Sequence, residues 1–286
     1  MLDLSIVIVT WNSREYIESC LNSIFKNLSE LKAKVLVVDN GSSDGTVEII
    51  RERFLKVKII SNRENRGFAK ATNQGLKVVK GRYALLLNPD TVVRENALQK
   101  MIKFMDSHSG VGALGPKLLN PDGTVQPSCR EFPTFQTFLW EFTGFSKMFP
   151  NHKSFGRWRM GYFDHQSPKE VDQLMGACIV VRRDVLERVG LLDERFPIFF
   201  NEVDWCYRIK HAGWKVMFFP DAEVIHYLAR STSKIRCKMI ALSHLGAYNF
   251  FRIHNRNYWT FSLGIMLFIT ACIRITYKAI QSVLNW

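Results

Sequence analysis

Four short apolar runs alternate with segments of helical period over the first 107 residues, and this alternation constrains the fold more than any other feature. The runs are 4–10 (LSIVIVT), 34–38 (KVLVV), 57–60 (VKII) and 83–87 (YALLL), each short enough and β-branched or apolar enough to be a buried strand. Between the first two, residues 14–28 place Ile17, Cys20, Leu21, Ile24, Phe25 and Leu28 on one helical face, with Ser13 at the capping position. Helices are also expected over 47–54, over 67–79 with Phe68, Ala71, Gly75, Leu76 and Val79 on one side, and over 95–107. Short links between alternating strands and helices predict an α/β, Rossmann-like fold: a parallel sheet with helices on both faces. In such sheets ligands bind beyond the carboxyl ends of the strands. The polar residues there are Thr10 and Asn12, Asp39, the stretch 62–67, and Asp90, and they are expected to converge.

The second half is less regular. Residues 130–161 are rich in aromatics and glycine with no clean period, and read as a loop region facing an acceptor. A strand is expected over 171–181, interrupted at Gly176-Ala177, then a short helix over 184–189, a longer one over 202–211 ended by Gly213, and a late strand over 214–219.

Charge is unevenly distributed. The whole chain carries +13, yet from Val224 to Trp286 there is no aspartate or glutamate and there are eight lysines and arginines, Arg230, Lys234 and Arg256 among them. Within that tail, residues 259–273 are almost purely apolar, short of the roughly 20 residues of a full span. Cations and aromatics flanking an apolar block suit an anionic membrane surface, and a tilted crossing or a buried terminal helix are the other readings. The cations do not line a polar helix, so no nucleic acid partner is expected. Six scattered cysteines without a CxxC pair exclude a cysteine-pair zinc module and favour a reducing compartment. The amino terminus lacks a basic n-region, so no secretory signal is expected.

Asp39-Asn40-Gly41-Ser42-Ser43-Asp44-Gly45 is the sharpest local feature. A carboxylate at a strand end can accept from a base N–H, and the loop leads to a helix start that favours phosphate. An ordinary turn with Asp44 as helix cap accounts for the same residues. There is no GxGxxG after the first strand, which disfavours a dinucleotide oxidoreductase. Asn88-Pro89-Asp90 ends the fourth strand, because proline cannot continue it, and the carboxylate there could hold Mg²⁺ or Mn²⁺ with substrate phosphate oxygens. Glu202 and Asp204 lie beside a helix start and point roughly 200° apart, so only one faces a pocket. Asp204 and Arg208, spaced i,i+4, are expected to form a surface pair, which leaves Glu202 facing inward. His226 follows the late strand and is either structural or a metal or phosphate ligand.

In order, SIVIVTWN (5–12), VVDNGSSDGT (37–46), NRENRGFA (62–69) with Asn73, LLNPD (86–90), MGAC (175–178), Arg182-Arg183, GLLDERF (190–196), Glu202-Val-Asp204 and His226 resemble the family 2 inverting glycosyltransferases of GT-A fold, most of all the rhamnosyltransferase-type branch. The resemblance covers about residues 4 to 233, with 234–286 a basic, apolar, helical, membrane-associating region. It implies a nucleotide-diphosphate sugar donor, a divalent metal (Mg²⁺ or Mn²⁺), inversion at the anomeric carbon, and a saccharide or polyprenyl-linked acceptor. The setting it implies is the cytoplasmic face of the cell membrane, reached peripherally or through a single carboxy-terminal anchor. By the same resemblance, Thr10, Asn12 and Asp39 hold the nucleoside, and Arg66, Gly67 and Asn73 line the nucleotide and sugar pocket. Asn88 and Asp90 stand at the DxD motif, Gly176 and Ala177 lie near donor sugar and acceptor, Glu202 is the base and His226 a metal or diphosphate ligand. Two departures are visible. Asn88 replaces the first aspartate of DxD, and Asn201-Glu202 replaces the usual Glu-Asp, which makes Asp204 the second candidate base. Enzymes of the same fold that act on polyprenyl phosphate or protein, and a catalytically silent nucleotide-sugar binder, are the rival readings.

Overall fold

A computed structural model describes residues 2–28, 31–228, 236–255 and 259–284. Arg230, Lys234 and Arg256, and the expected boundary at 233, lie outside them. The elements run β1 (Leu4–Thr10), α1 (Arg14–Lys26), β2 (Ala33–Asp39), α2 (Thr46–Arg53), β3 (Lys58–Ser61), α3 (Phe68–Leu76), β4 (Tyr83–Leu87), β5 (Thr91–Val93) and α4 (Ala97–Ser107). They continue with β6 (Val111–Leu119), β7 (Val125–Gln126), β8 (Cys129–Arg130), α5 (Phe135–Thr143), α6 (Phe145–Met148), β9 (Lys169–Glu170), β10 (Gln173–Leu174), β11 (Cys178–Arg182) and α7 (Arg183–Val189). The last are α8 (Asn201–His211), β12 (Lys215–His226), α9 (Arg236–His254) and α10 (Trp259–Leu284).

The main sheet has the order β3-β2-β1-β4-β11-β6-β12-β5, with β7 on β6 and β9 on β12; β8 and β10 form a separate pair. Strands β3, β2, β1 and β4 are all parallel, as the alternation predicts. The sheet then becomes mixed: β11 runs antiparallel to β4 and β6, and β12 is parallel to β6 but antiparallel to β5. Chain order reverses at β1, with β2 on one side and β4 on the other, so a crevice opens beyond Thr10, Asp39 and Leu87. One apolar cluster lies between the sheet and α1, α2 and α4; a second lies under α7 and α8. Helix α3 sits tightly on β1, since a Cβ at Gly75 would come within 2.4 Å of Val7.

Several expectations are corrected. The sequence reading had no strand at β6, which is central, because Gly115 and Pro116 disguise it. Its ladder to β11 is confined to Ala113 and Leu114, and the facing strand β12 shifts register between Phe219 and Glu223, so Pro116 needs no donor there. The late strand is longer than expected, and His226 is its last residue. The stretch 171–181 is two strands in different sheets. Residues 135–143 are helical, not loop: Thr134 accepts from the Thr137 N–H in a capping box, and aromatics on several faces hide the period. Ser13 occupies the capping position of α1 without capping it; Asp44 accepts from the Arg14 N–H instead, at 3.0 Å.

Helices α9 and α10 do not stand apart. Ala247, Phe250, Phe251, Leu263 and Leu267 share a cluster with Phe138, Phe196, Phe200 and Val203, so the hairpin packs directly on the start of α8. Among the described residues no helix is long and apolar enough to cross a membrane, which removes support for a spanning carboxy-terminal anchor. The apolar run of α10 stops at Arg274.

Candidate functional site

The crevice is built from strand ends. Register places Thr10 beside Asp39, and the Thr10 hydroxyl donates to Asp39 Oδ1 at 3.0 Å. The same carboxylate accepts from the Ser42 hydroxyl and from the backbone N–H groups of Gly41 (3.2 Å) and Ser42 (3.0 Å). All four acceptor directions of Asp39 therefore shape the loop, and a ligand donor must displace one of them. Asn12, in the left-handed region at φ 51°, holds the same loop: its N–H donates to Ser42 Oγ and its side-chain oxygen accepts from the Ser43 N–H.

Asn40, which the sequence reading passed over, fastens the next strand end to this loop. Its amide donates to Asn65 Oδ1 and Gly67 O and accepts from the Arg66 N–H and the Asn62 amide. Gly67, at φ +86°, then starts α3, and the Arg66 side chain is left exposed at the rim. Asn73 is not brought to the rim: its buried amide donates to Leu192 O and Glu194 and accepts from the Leu192 N–H, tying α3 to the segment before α8.

At the end of β4, the Asn88 N–H donates to Ala177 O at 2.9 Å, which joins the Asn88–Asp90 turn to the Gly176-Ala177 segment. The Asn88 amide makes no hydrogen bond among the described residues. Asp90 faces His226, with Oδ1 3.5 Å from Nε2. Gln126 fixes the imidazole. Its Nε2 donates to Asn120 Oδ1 and to His226 O, so its Oε1 is the atom facing His226 Nδ1 at 2.8 Å. In the neutral ring Nδ1 therefore carries the proton, and Nε2 presents a lone pair toward the Asp90 carboxylate. Two acceptors facing one another are the chemistry of a cation site. Among the described residues no group of three or more His, Cys, Asp or Glu could hold a metal, so the remaining ligands of a cation here would be substrate oxygens. Behind Asp90 lies a cleft of about 140 Å³ walled by Tyr16, Ser19 and Tyr227.

Glu202 closes the far side. Phe200, left-handed at φ 67°, turns the chain into α8, and Glu202 lies in its first turn. It is next to Gly176: a methyl group there would touch its Cβ, Cγ and Cδ at 3.7–3.9 Å. The residue is half-buried, but its carboxyl group is enclosed. Burial raises its pKa from 4.5 to about 7, against its own backbone N–H and Arg130, which pull it down. Glu202, Gly176-Ala177, Asn88 and Asp90 thus form one contiguous wall.

Asp204 has a different setting. It is not in a surface pair; its side chain is 1% exposed, bonded to Arg208 through Oδ2 (2.8 Å) and to His254 of α9 through Oδ1 (2.7 Å). The i,i+4 pair forms, and the packing of α9, which sequence spacing does not display, buries it. Arg130, also passed over, lies half-buried beside Glu202 on β8.

The sequence pattern of Glycosyl transferase family 2 matches residues 5–190. The chain is 27% identical over 270 residues to the N-acetylglucosaminyl-diphospho-decaprenol L-rhamnosyltransferase of Mycobacterium tuberculosis (strain ATCC 25618 / H37Rv), covering 90% of this chain and 86% of that one. It is 26% identical over 254 residues to the dTDP-rhamnosyl transferase RfbF of Shigella flexneri, covering 87% and 77%. Among solved structures it is similar to the mannosyltransferase PcManGT from Pyrobaculum calidifontis in complex with GDP-Man and Mn²⁺, with a TM-score of 0.60, 16% identity, and 99% and 79% of the two chains covered. It is also similar to GalNAc-T7 with UDP, GalNAc and Mn²⁺ (TM-score 0.59, 16% identity), where 79% of this chain spans 44% of that one. At such identities the structures speak for the fold.

Proposed function

Because the chain belongs to glycosyl transferase family 2, we propose that it moves a sugar, rhamnose foremost, from a nucleotide-diphosphate sugar to a hydroxyl of a lipid-linked saccharide in cell-surface glycan synthesis, with inversion. The observation that carries this reading is the enclosed Glu202 carboxylate, set against Gly176 and one segment away from Asn88 and Asp90. A carboxylate with a pKa near 7 is matched to taking a proton at neutral pH, help worth about 10²–10⁴-fold. Glu202 accepts the proton of the acceptor hydroxyl as its oxygen attacks the anomeric carbon, and the nucleoside diphosphate leaves from the opposite face. The loops at Thr10, Asn12, Asp39 and Arg66–Gly67 bind the nucleotide, and Asn88 offers its unspent amide to the donor. The wall formed by Gly176 and Ala177 keeps donor sugar and base in line. Asp90 and His226 would hold Mg²⁺ or Mn²⁺, which neutralises charge on the leaving diphosphate. Asp204 serves in this reading to anchor α8, not as the base.

The reading extends to an anionic membrane surface. Phe261 (76% exposed), Ile265 (49%), Phe268 (71%), Ile269 (51%) and Ile273 (60%) form an outward apolar face on α10, while Leu263 and Leu267 face inward. No acidic residue occurs after Glu223, and Lys238 and Arg274 are exposed on this hairpin. An apolar helix face beside cations is suited to lying in the interface of an anionic bilayer. All six cysteines are free thiols, in keeping with a cytoplasmic setting. The test of the function is transfer from dTDP-rhamnose to an N-acetylglucosaminyl-diphosphate lipid, followed by anomeric analysis. No transfer from any nucleotide sugar, or a product of retained configuration, would refute it.

A further inference from the structure

Arg130 and Arg159 lie over the Trp158 ring and Arg157 precedes it in the chain, and the three are not equivalent. Arg157 is paired with Glu131 at 2.6 Å, and Arg159 with Glu141 through two parallel bonds of 2.7 Å. Arg130 has neither a carboxylate within ion-pair distance nor a hydrogen bond for its guanidinium among the described residues. Its Cζ stands 5.8 Å from the centre of the Trp158 ring, whose own Nε1–H is buried without an acceptor among the described residues. Two unspent donors thus meet at one ring, and a half-buried cation beside a second guanidinium is costly unless something supplies the counter-charge. Burial, then the neighbouring Arg159, lowers the pKa of Arg130, the strain an anion would relieve.

The backbone brings this cation to the reaction. Arg130 pairs with Gln173 across the β8–β10 ladder, and the Met175 N–H donates to Ser128 O, so the ladder runs straight into Gly176. Glu202 lies against Gly176, and Arg130 is near enough to lower its pKa. We infer that Arg130 binds the diphosphate of the lipid-linked acceptor, with the acceptor's sugar ring bridging from that diphosphate to the hydroxyl that Glu202 deprotonates. The inference rests on the function proposed above and adds the acceptor-side anion site. A planar guanidinium forks onto phosphate oxygens with charge-assisted bonds, which lysine does less well.

The test compares one saccharide in two forms: N-acetylglucosaminyl diphosphate carrying a farnesyl chain, and the same sugar as a neutral farnesyl glycoside. For the diphosphate acceptor, Arg130→Gln is expected to raise KM about 10- to 100-fold, the span of a lost charge-assisted bond. Arg130→Lys recovers part of this loss. The KM for the neutral acceptor and the KM for the donor stay within about twofold of the parent. Binding of the diphosphate acceptor by calorimetry, with the nucleotide site saturated by dTDP and Mn²⁺, falls by the same factor. Equal losses on both acceptors, a raised donor KM instead, or a shifted pH profile without acceptor discrimination would overturn the inference. Parent protein that transfers to neither acceptor would refute the proposed function, whereas parent protein that uses both equally well overturns only the role of Arg130.

Discussion

The enclosed carboxylate of Glu202 makes stability and activity depend on the same proton, in opposite directions. Its folded pKa, about 7, lies above its ordinary value of 4.5. Between those values the native state holds a proton that the unfolded chain has released, so this group's contribution is full below pH 4.5 and is lost as pH rises through 7. At 1.36 kcal/mol per unit, ionising Glu202 in the native state removes about 3 kcal/mol. Glu202→Gln keeps the shape and cannot ionise. The variant is expected to match the parent near pH 4.5 and to be more stable by up to about 3 kcal/mol at pH 8. For a chain of this size that is a rise of several degrees in Tm.

Catalysis runs the other way. The ionised form is the competent base, so log kcat/KM of the parent rises with unit slope up to about pH 7 and then levels. Glu202→Gln loses about 10²–10⁴-fold at pH 8 while binding nucleotide sugar as the parent does. Urea unfolding at pH 4.5, 6, 7 and 8, paired with initial rates over the same range, measures both limbs. A stability difference between parent and variant that stays constant from pH 5 to pH 8 would refute the enclosed-carboxylate reasoning. So would a rate profile that breaks near pH 4.5.

Asp90→Ala and His226→Ala are each expected to weaken Mn²⁺-dependent binding of the donor by at least tenfold with little effect on metal-free binding; unchanged metal dependence by calorimetry would remove them from a cation site. Asp204→Ala leaves Arg208 without its counter-charge and His254 without its hydrogen-bond partner, and is expected to cost about 3–5 kcal/mol of stability, read by urea unfolding. Normal stability with abolished transfer would instead make Asp204 the base. Phe268→Glu with Ile265→Glu on the outward face of α10 is expected to abolish co-sedimentation with phosphatidylglycerol vesicles and leave Tm within a few degrees of the parent; undiminished sedimentation would exclude that face as the contact.

What could be read from the sequence is what local physics decides. Strands β1, β2 and β4 are continuous apolar runs, so their burial on both faces shows in any window, and the residues at their ends follow from chain direction alone. Glu202 and Asp204 were separable because helix geometry forbids both from facing one side. The roles of Asn73 and Arg130 were not legible in this way. Asn73 closes a contact with Leu192, 119 residues on, and Arg130 is set apart by having no carboxylate within ion-pair distance among the described residues, which no pattern displays. Strand β6 was missed because proline in a central strand is a sound warning sign, and only the bulge opposite it in β12 makes it tolerable. The helix at 135–143 was hidden by its own composition, since aromatics occur on more than its buried face.

The carboxy-terminal hairpin also decides which experiment can speak to membrane contact. Removing residues 255–286 would take away Leu263 and Leu267, and with them part of the cover over Phe250, Phe251, Phe200 and Val203. Each such side chain returned to water forfeits roughly 1.5–3 kcal/mol. The uncovered group sits at the start of α8, where Phe200 makes the left-handed turn that sets Glu202 against Gly176. A truncated protein that failed to bind vesicles would therefore report a disturbed catalytic helix as readily as a lost lipid contact. Substitutions at Ile265 and Phe268 avoid the ambiguity, because their side chains point away from the cluster that holds the hairpin down. If those variants lose vesicle binding while transferring normally to a detergent-dispersed acceptor, the outward face of the hairpin docks on lipid and its inward face only supports the helix that carries Glu202. If they lose both together without vesicles present, the outward face supports the fold, and the membrane reading falls.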